Sequence, residues 1–262
     1  MSELYSIAKG DKKNPPVICI HGLLGSARNL YRVIEAIADA GFYALAYDQR
    51  GHGHSPHSSD YSLKALAGDV FTFMDAHEVL RAQLVGHSLG ARVSLAAAAS
   101  LPERVQSLTL LDSGITISAT HLENLHQIVD PLPASFANRA ATESALAKHS
   151  TVMRQFLLAN LRAQPEAPYT LHWMFDLEGI RSELLKTIQV DQTETWKTVQ
   201  CPTLVARGER SESMSANDLE TMVSLNPHAH GAVIANAGHW VHVDNFQGTV
   251  ELVTQFLKSV KI

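Results

Sequence analysis

The residues of this chain best suited to chemistry are Gly86-His87-Ser88-Leu89-Gly90. The apolar pair Leu84-Val85 leads into them, and a helix-forming stretch from Ala91 to Ala99 follows at once. Gly-x-Ser-x-Gly between a strand and a helix is the pattern of a nucleophile elbow. Gly86 and Gly90 lack Cβ atoms, so the chain can turn sharply while Ser88 is held in a strained backbone conformation. The hydroxyl then stands clear of the strand end, and the helix N-terminus behind it offers N–H groups to a developing anion. An ordinary glycine-rich turn could use the same five residues, so the surrounding elements decide between the two. A neutral serine is a poor nucleophile and needs a base within hydrogen-bond reach. His239, beside Gly238 in the loop after the last apolar strand, is the candidate, with His242 as its rival.

The elements that must position these groups repeat with one rhythm. Pro16 to Ile20 is a continuous apolar run, as expected of a strand buried on both faces of a parallel sheet. It breaks at Gly22-Leu23-Leu24-Gly25, and Ser26 can cap a helix reaching about Ala40. Residues 41–48 read as a second buried strand. Leu63, Leu66, Val70 and Phe73 then recur at helical spacing. The elbow strand and its helix follow, then a strand from Val105 to Leu111. Alternation of this kind predicts an α/β fold: a mostly parallel central sheet with helices on both faces. His21, Asp48, Ser88 and Asp112 all fall where apolar strands end, so they are expected to share the carboxyl edge where such sheets bind ligands.

From about Ile115 to Thr198 helical periodicity continues without strands of that kind, punctuated by Pro131, Pro133, Pro165 and Pro168. Residues 115–198 are therefore expected to form an inserted helical cap of roughly four helices, between core segments 1–114 and 199–262. Phe156, Trp173, Met174 and Phe175 would either line an apolar ceiling or pack the cap's own core. The strand–helix rhythm returns at Pro202 to Gly208, continues through a helix near Ser215–Ser224 and a strand at Gly231–Ile234, and closes with a helix striped by Phe246, Val250, Val253 and Leu257.

With 262 residues, 45% hydrophobic and 18% charged, the chain has material for one large core domain with an insertion. A formal net charge of -5 gives no electrostatic case for nucleic acid or an anionic membrane surface. No apolar run approaches the roughly 18–20 residues of a membrane span, and Met1 to Ser6 has neither the basic nor the apolar region of a signal peptide. Cys19 and Cys201 read as small buried hydrophobes, which fits a reducing compartment and a cytoplasmic protein. Monomer and homodimer are both compatible with these features.

Four motifs in order, His21-Gly22-Leu23-Leu24-Gly25, Asp48-Gln49-Arg50-Gly51-His52-Gly53-His54-Ser55, Gly86-His87-Ser88-Leu89-Gly90 and Gly238-His239-Trp240-Val241-His242, span nearly the whole chain. Together they resemble the α/β-hydrolase fold serine hydrolases. With the stretch Phe156-Leu157-Leu158-Ala159-Asn160-Leu161, they are similar to the small bacterial esterases and the abhydrolase-11 type. The resemblance implies Ser88 as nucleophile and His239 as base. In many relatives the acid stands in Gly-x-x-Asp after the seventh strand, but here that position reads Gly208-Glu209-Arg210-Ser211-Glu212. Asp112, ending the preceding strand, is the substitute that some relatives use, with Glu212 or Glu209 as the alternative. The resemblance also implies an oxyanion hole from the backbone N–H groups of Leu23 and Leu89, with Leu24 a weaker rival to Leu23.

Other polar groups are expected to be structural. His52, His54 and His57 lack the cysteine or carboxylate that would complete a metal site, so neither metal nor cofactor is expected. Asp48 and Arg50 are expected to pair internally, and Arg92 to form a salt bridge. The expectation is a serine hydrolase that cleaves a small-molecule carboxylic ester of short or medium acyl chain by a Ser-His-Asp acyl-enzyme route. Thioester or C–C bond hydrolysis with the same triad, and non-catalytic binding of a small ligand, are the alternatives.

Overall fold

The protein is described here from a computed structural model covering residues 3–261. The chain begins with β1 (Ser6–Lys9), β2 (Pro16–Ile20), a 3-10 turn at Ala27–Leu30, α1 (Tyr31–Asp39) and β3 (Tyr43–Tyr47). It continues through α2 (Leu63–Ala76), β4 (Ala82–His87), α3 (Leu89–Ser100) and β5 (Val105–Leu111). A long intervening segment holds α4 (Ala119–Val129), β6 (Ser135–Phe136), α5 (Arg139–Ala145), α6 (Thr151–Ala159), β7 (Leu161–Gln164) and β8 (Ala167–Trp173). It ends with α7 (Leu177–Gly179), a π-helical turn, α8 (Leu185–Thr187) and α9 (Thr193–Thr198). The chain then returns through β9 (Thr203–Gly208), α10 (Ala216–Leu225), β10 (Ala229–Ile234), α11 (Val241–Asp244) and α12 (Phe246–Ser259).

Seven strands form the central sheet in the order β1-β3-β2-β4-β5-β9-β10. Only β1 runs antiparallel to its neighbour; every other pairing is parallel. The buried runs in the sequence follow from this placement, because a central parallel strand is covered on both sides. In β2, Ile18 and Ile20 pack with Leu66 and Val70 of α2 and Val93 of α3. Val17 and Cys19 point the other way, to Ile34 and Ile37 of α1 and Val253 and Leu257 of α12. The expected α/β fold with helices on both faces is what the chain adopts.

Two features differ from the sequence reading. β1 is an edge strand without an apolar run; it needs only one covered face, so Ser6 and Lys9 are tolerated opposite Tyr47 and Ala44. The segment expected to be purely helical also contains a three-stranded antiparallel sheet, ordered β6-β8-β7. Leu161 continues the helical spacing of Leu157, but α6 stops before it. The Asn160 side chain donates back to the Phe156 carbonyl at 2.9 Å, and the Asn160 carbonyl accepts from Met174 N at 2.8 Å, turning the chain into a hairpin. Pro168 lies where the β7–β8 register shifts, between Ala167 and Leu171, so its missing N–H breaks no ladder bond.

The segment is tied to the core at the carboxyl edge. Tyr61 Oη donates to Asp176 Oδ2 at 2.7 Å, and His52 bridges to Phe175 through the backbone. Trp173 and Phe175 stack on each other, centroids 4.9 Å apart, in the buried apolar cluster that also holds Tyr61, Leu66 and Phe71. Phe156 instead meets Trp240 across the site, at 5.1 Å.

Candidate active site

The strand–helix junction at Ser88 is possible only with glycine on either side. A Cβ on Gly86 would lie 2.3 Å from the Gly90 carbonyl oxygen, and one on Gly90 would lie 2.1 Å from that of Ile20. Both obstacles are main chain and cannot swing aside. Ser88 itself has φ 55 and ψ -118, a region a side-chain-bearing residue rarely occupies. Its N–H is held by the Leu111 carbonyl at 3.0 Å. Its neighbours in the turn are buried, whereas Ser88 is half-buried and opens onto a cavity.

His239, in the loop between β10 and α11, lines the same cavity and directs Nδ1–H to Asp112 Oδ2 at 2.8 Å. Asp112 is fully buried at the end of β5, also with a positive φ of 51. A carboxylate so placed is tolerable only when its oxygens are saturated with donors. Oδ1 accepts from Gly208 N at 2.7 Å, and Oδ2 accepts from Ser211 Oγ at 2.5 Å as well as from His239. Ser211 Oγ accepts in turn from the N–H groups of Ser213 (3.1 Å) and Met214 (3.3 Å), so its own proton is left for Asp112. The residue standing where many relatives carry the acid thus hydrogen-bonds the carboxylate on the neighbouring strand. Glu209 and Glu212 are exposed; Glu209 Oε2 accepts from Asn236 N at 2.8 Å.

Histidines surround His239, and burial keeps them neutral. His87 Nε2–H donates to the His239 carbonyl at 2.9 Å, and its pKa lies well below the ordinary value because it is buried, with His242 and His239 adding to the effect. His242 is pushed down to about 4 by burial and then by His239, and it packs against His87 rather than Asp112, centroids 4.7 Å apart. His121, from α4, lies 5.9 Å from His239 between ring centroids and is also lowered to about 4, first by burial. No positive charge on these rings opposes a proton arriving on His239.

The loop after β2 separates the candidate anion donors. Gln49 N donates to His21 Nε2 at 3.0 Å, which leaves Nδ1–H to donate to the Gly22 carbonyl at 2.8 Å. Leu24, at φ 62, donates its N–H to His52 Nε2 at 3.3 Å and is therefore occupied. The N–H groups of Leu23 and Leu89 have no acceptor among the described residues, and both residues line a cavity with Ser88. Leu89 opens α3, so its N–H has no intrahelical partner.

Two cavities flank Ser88 and His239. The larger, about 190 Å³, is walled mainly by apolar side chains, including Leu23, Leu30, Val152, Phe156 and Trp240. The smaller, about 40 Å³, lies toward Asp112, Ser113, Thr116, His121 and Ser213. The remaining polar candidates serve the scaffold. His52 is buried, His54 Nδ1 faces Arg162 Nη1 at 3.0 Å, and the exposed His57 lies 3.8 Å from Asp176. Among the described residues no group of three or more His, Cys, Asp or Glu is arranged to hold a metal ion. Arg50 pairs with Asp69, at 2.6 and 2.7 Å, and not with Asp48, which accepts from the N–H groups of Ala27 and His54. Arg92 makes no salt bridge among the described residues; it donates to the Gly114 carbonyl at 2.9 Å and to that of Val190. Buried beneath the smaller cavity, its guanidinium is lowered to about 10 by desolvation. No helix of the described residues is long and apolar enough to cross a membrane.

A model of the α/β hydrolase fold matches residues 15–246. The chain is similar to an sn-1-specific diacylglycerol lipase of Mus musculus, 30% identical over 97% of this chain and 84% of that one. It is also similar to an esterase of Escherichia coli K12, 25% identical over 96% of each chain. Among solved structures, a marine microorganism esterase superposes with a TM-score of 0.86 at 25% identity, covering 97% of this chain and 99% of the other.

Proposed function

The chain belongs to the α/β hydrolase fold family, and we propose that it is a serine esterase acting on small carboxylic esters of short or medium acyl chain. The observation that carries this reading is the line from buried Asp112 to His239, 2.8 Å long, beside a strained Ser88 on a shared cavity. The esterase and lipase names of its relatives favour an ester over other acyl compounds.

In this reading His239 Nε2 takes the Ser88 proton as Oγ attacks the ester carbonyl. Asp112 holds Nδ1–H and stabilises the imidazolium that forms. The N–H groups of Leu23 and Leu89 receive the oxyanion, contributing on the order of several kcal/mol of transition-state stabilisation. The imidazolium returns its proton to the leaving alkoxide, and the alcohol departs. His239 then deprotonates a water that attacks the acyl-enzyme, and the acid leaves with Ser88 restored. Residues 115–198 act as a lid, and the larger apolar cavity under Phe156 and Trp240 takes the longer chain. A cytoplasmic setting fits Cys19 and Cys201, which are both free thiols.

Hydrolysis of p-nitrophenyl esters from acetate to palmitate tests this. Turnover is expected with an optimum at short or medium chains, after a burst of p-nitrophenolate matching the enzyme concentration. Folded protein without turnover or burst would shift the reading to C–C bond hydrolysis or ligand binding, and a strong preference for matched thioesters would make it a thioesterase. Ser211 acts here as a positioning residue for Asp112. Ser211→Ala removes one of three donors to the carboxylate, so kcat is expected to fall about tenfold with KM unchanged; the check is the kcat and KM of the variant on one ester.

A further inference from the structure

His121 lines the smaller cavity with Ser88 and His239, and its ring nitrogens have no hydrogen-bond partner among the described residues; the His242 ring, likewise without a partner, lines the larger cavity. Its main chain is fixed: Ser118 Oγ caps α4 by accepting the His121 N–H at 3.1 Å. The ring is half-buried and comes within 5.9 Å of the His239 ring, so a group held beside His239 on this side lies against His121. Being neutral, it offers one N–H donor and one bare nitrogen acceptor. The space it faces is small. A cavity must exceed about 10–15 Å³ to hold even one water, so about 40 Å³ admits only a small group. Ser113, Thr116 and Ser213 line the same cavity, beside the apolar Leu89, Ile117 and Ile188.

We propose that His121 is a specificity-determining residue that hydrogen-bonds an oxygen on the short half of the ester, so that the preferred substrates pair a longer apolar chain with a small hydroxyl- or carbonyl-bearing group. The inference rests on the esterase reading. A buried imidazole left facing a purely hydrocarbon group loses its hydration without replacement, which penalises the unsubstituted ester relative to the oxygenated one. The oxygen-bearing group can belong to either side of the ester bond, and the two cases are separable.

The test compares kcat/KM for two isosteric pairs, 2-hydroxyethyl against propyl hexanoate and hexyl glycolate against hexyl propanoate, in wild type, His121→Phe and His121→Gln. In one pair the preference for the hydroxylated ester is expected to drop tenfold or more in His121→Phe and to persist in His121→Gln, which keeps a donor and an acceptor. Comparing variants cancels the intrinsic reactivity of each ester. The pair that responds identifies the alcohol or the acyl side. Preferences unchanged by His121→Phe in both pairs would overturn the inference, and so would their loss in His121→Gln as well. His121→Leu gives the same reading should the phenylalanine variant not fold. p-Nitrophenyl acetate is the control: its hydrolysis by the variants shows an intact esterase, whereas its absence in wild type would remove the esterase reading itself.

Discussion

Asp112→Asn is expected to lower kcat by about three to four orders of magnitude in a protein that still folds. The geometry explains both halves of that result. Oδ1 of Asp112 accepts from the buried Gly208 N–H, and asparagine can keep that bond only by leaving its oxygen there. Its amide nitrogen then occupies the place of Oδ2, against Ser211 Oγ and His239 Nδ1. Ser211 Oγ can accept from the new donor only by giving up its long bond from Met214 N, a local adjustment that leaves the fold in place. His239 cannot adapt without harm: Nδ1 must become the acceptor, the ring proton moves to Nε2, and the nitrogen that should take the serine proton is already occupied. Glu212→Gln and Glu209→Gln, both at exposed positions, are expected to stay within about twofold of wild type, the latitude of a solvent-screened charge. Steady-state kinetics on one ester, with a thermal melt for each variant, compares the three. A matching loss in Glu212→Gln with Asp112→Asn near normal would move the acid to the loop after β9.

Much of this framework was readable from residue types, and the exceptions share a cause. The buried parallel strands announce themselves because both faces of β2, β3 and β4 are covered, leaving runs such as Val17 to Ile20. The elbow is readable because only glycine fits at Gly86 and Gly90. Edge strand β1 has one covered face and too little apolar pattern to stand out. The β7–β8 hairpin is hidden because Leu161 keeps the spacing of α6, while the helix is ended by an Asn160 side chain whose bond exists only in three dimensions. The arginines follow the same logic. Nothing local tells Arg50 to choose Asp69 over Asp48, and Arg92 meets carbonyls from distant segments in place of a carboxylate. Ser211 is visible in sequence only as a departure from a pattern; that it donates to the substitute acid depends on β5 and β9 being neighbours. His121 carries no signal at all, since one histidine a turn before Leu125 on an amphipathic helix is unremarkable until α4 packs beside His239.

Ser88→Ala is expected to abolish the burst and to reduce turnover by about six orders of magnitude, to the level that oxyanion donors and binding alone sustain. The hydroxyl is the only group removed, and the Cβ that packs near Gly22 remains, so the melting temperature should match wild type. Ser88→Gly separates the two demands placed on this position. Holding a non-glycine residue at φ 55 and ψ -118 costs on the order of 1–3 kcal/mol. Glycine releases that strain, while its greater freedom in the unfolded chain gives back about 0.5–1 kcal/mol. The glycine variant should thus be as inactive as the alanine one yet melt higher, a stability held down in wild type by the geometry that exposes the nucleophile. Differential scanning calorimetry beside burst kinetics tests both statements. A glycine variant no more stable than wild type would mean the strain at Ser88 does not exceed glycine's entropic cost of about 0.5–1 kcal/mol, and burst release surviving in the alanine variant would place the nucleophile elsewhere.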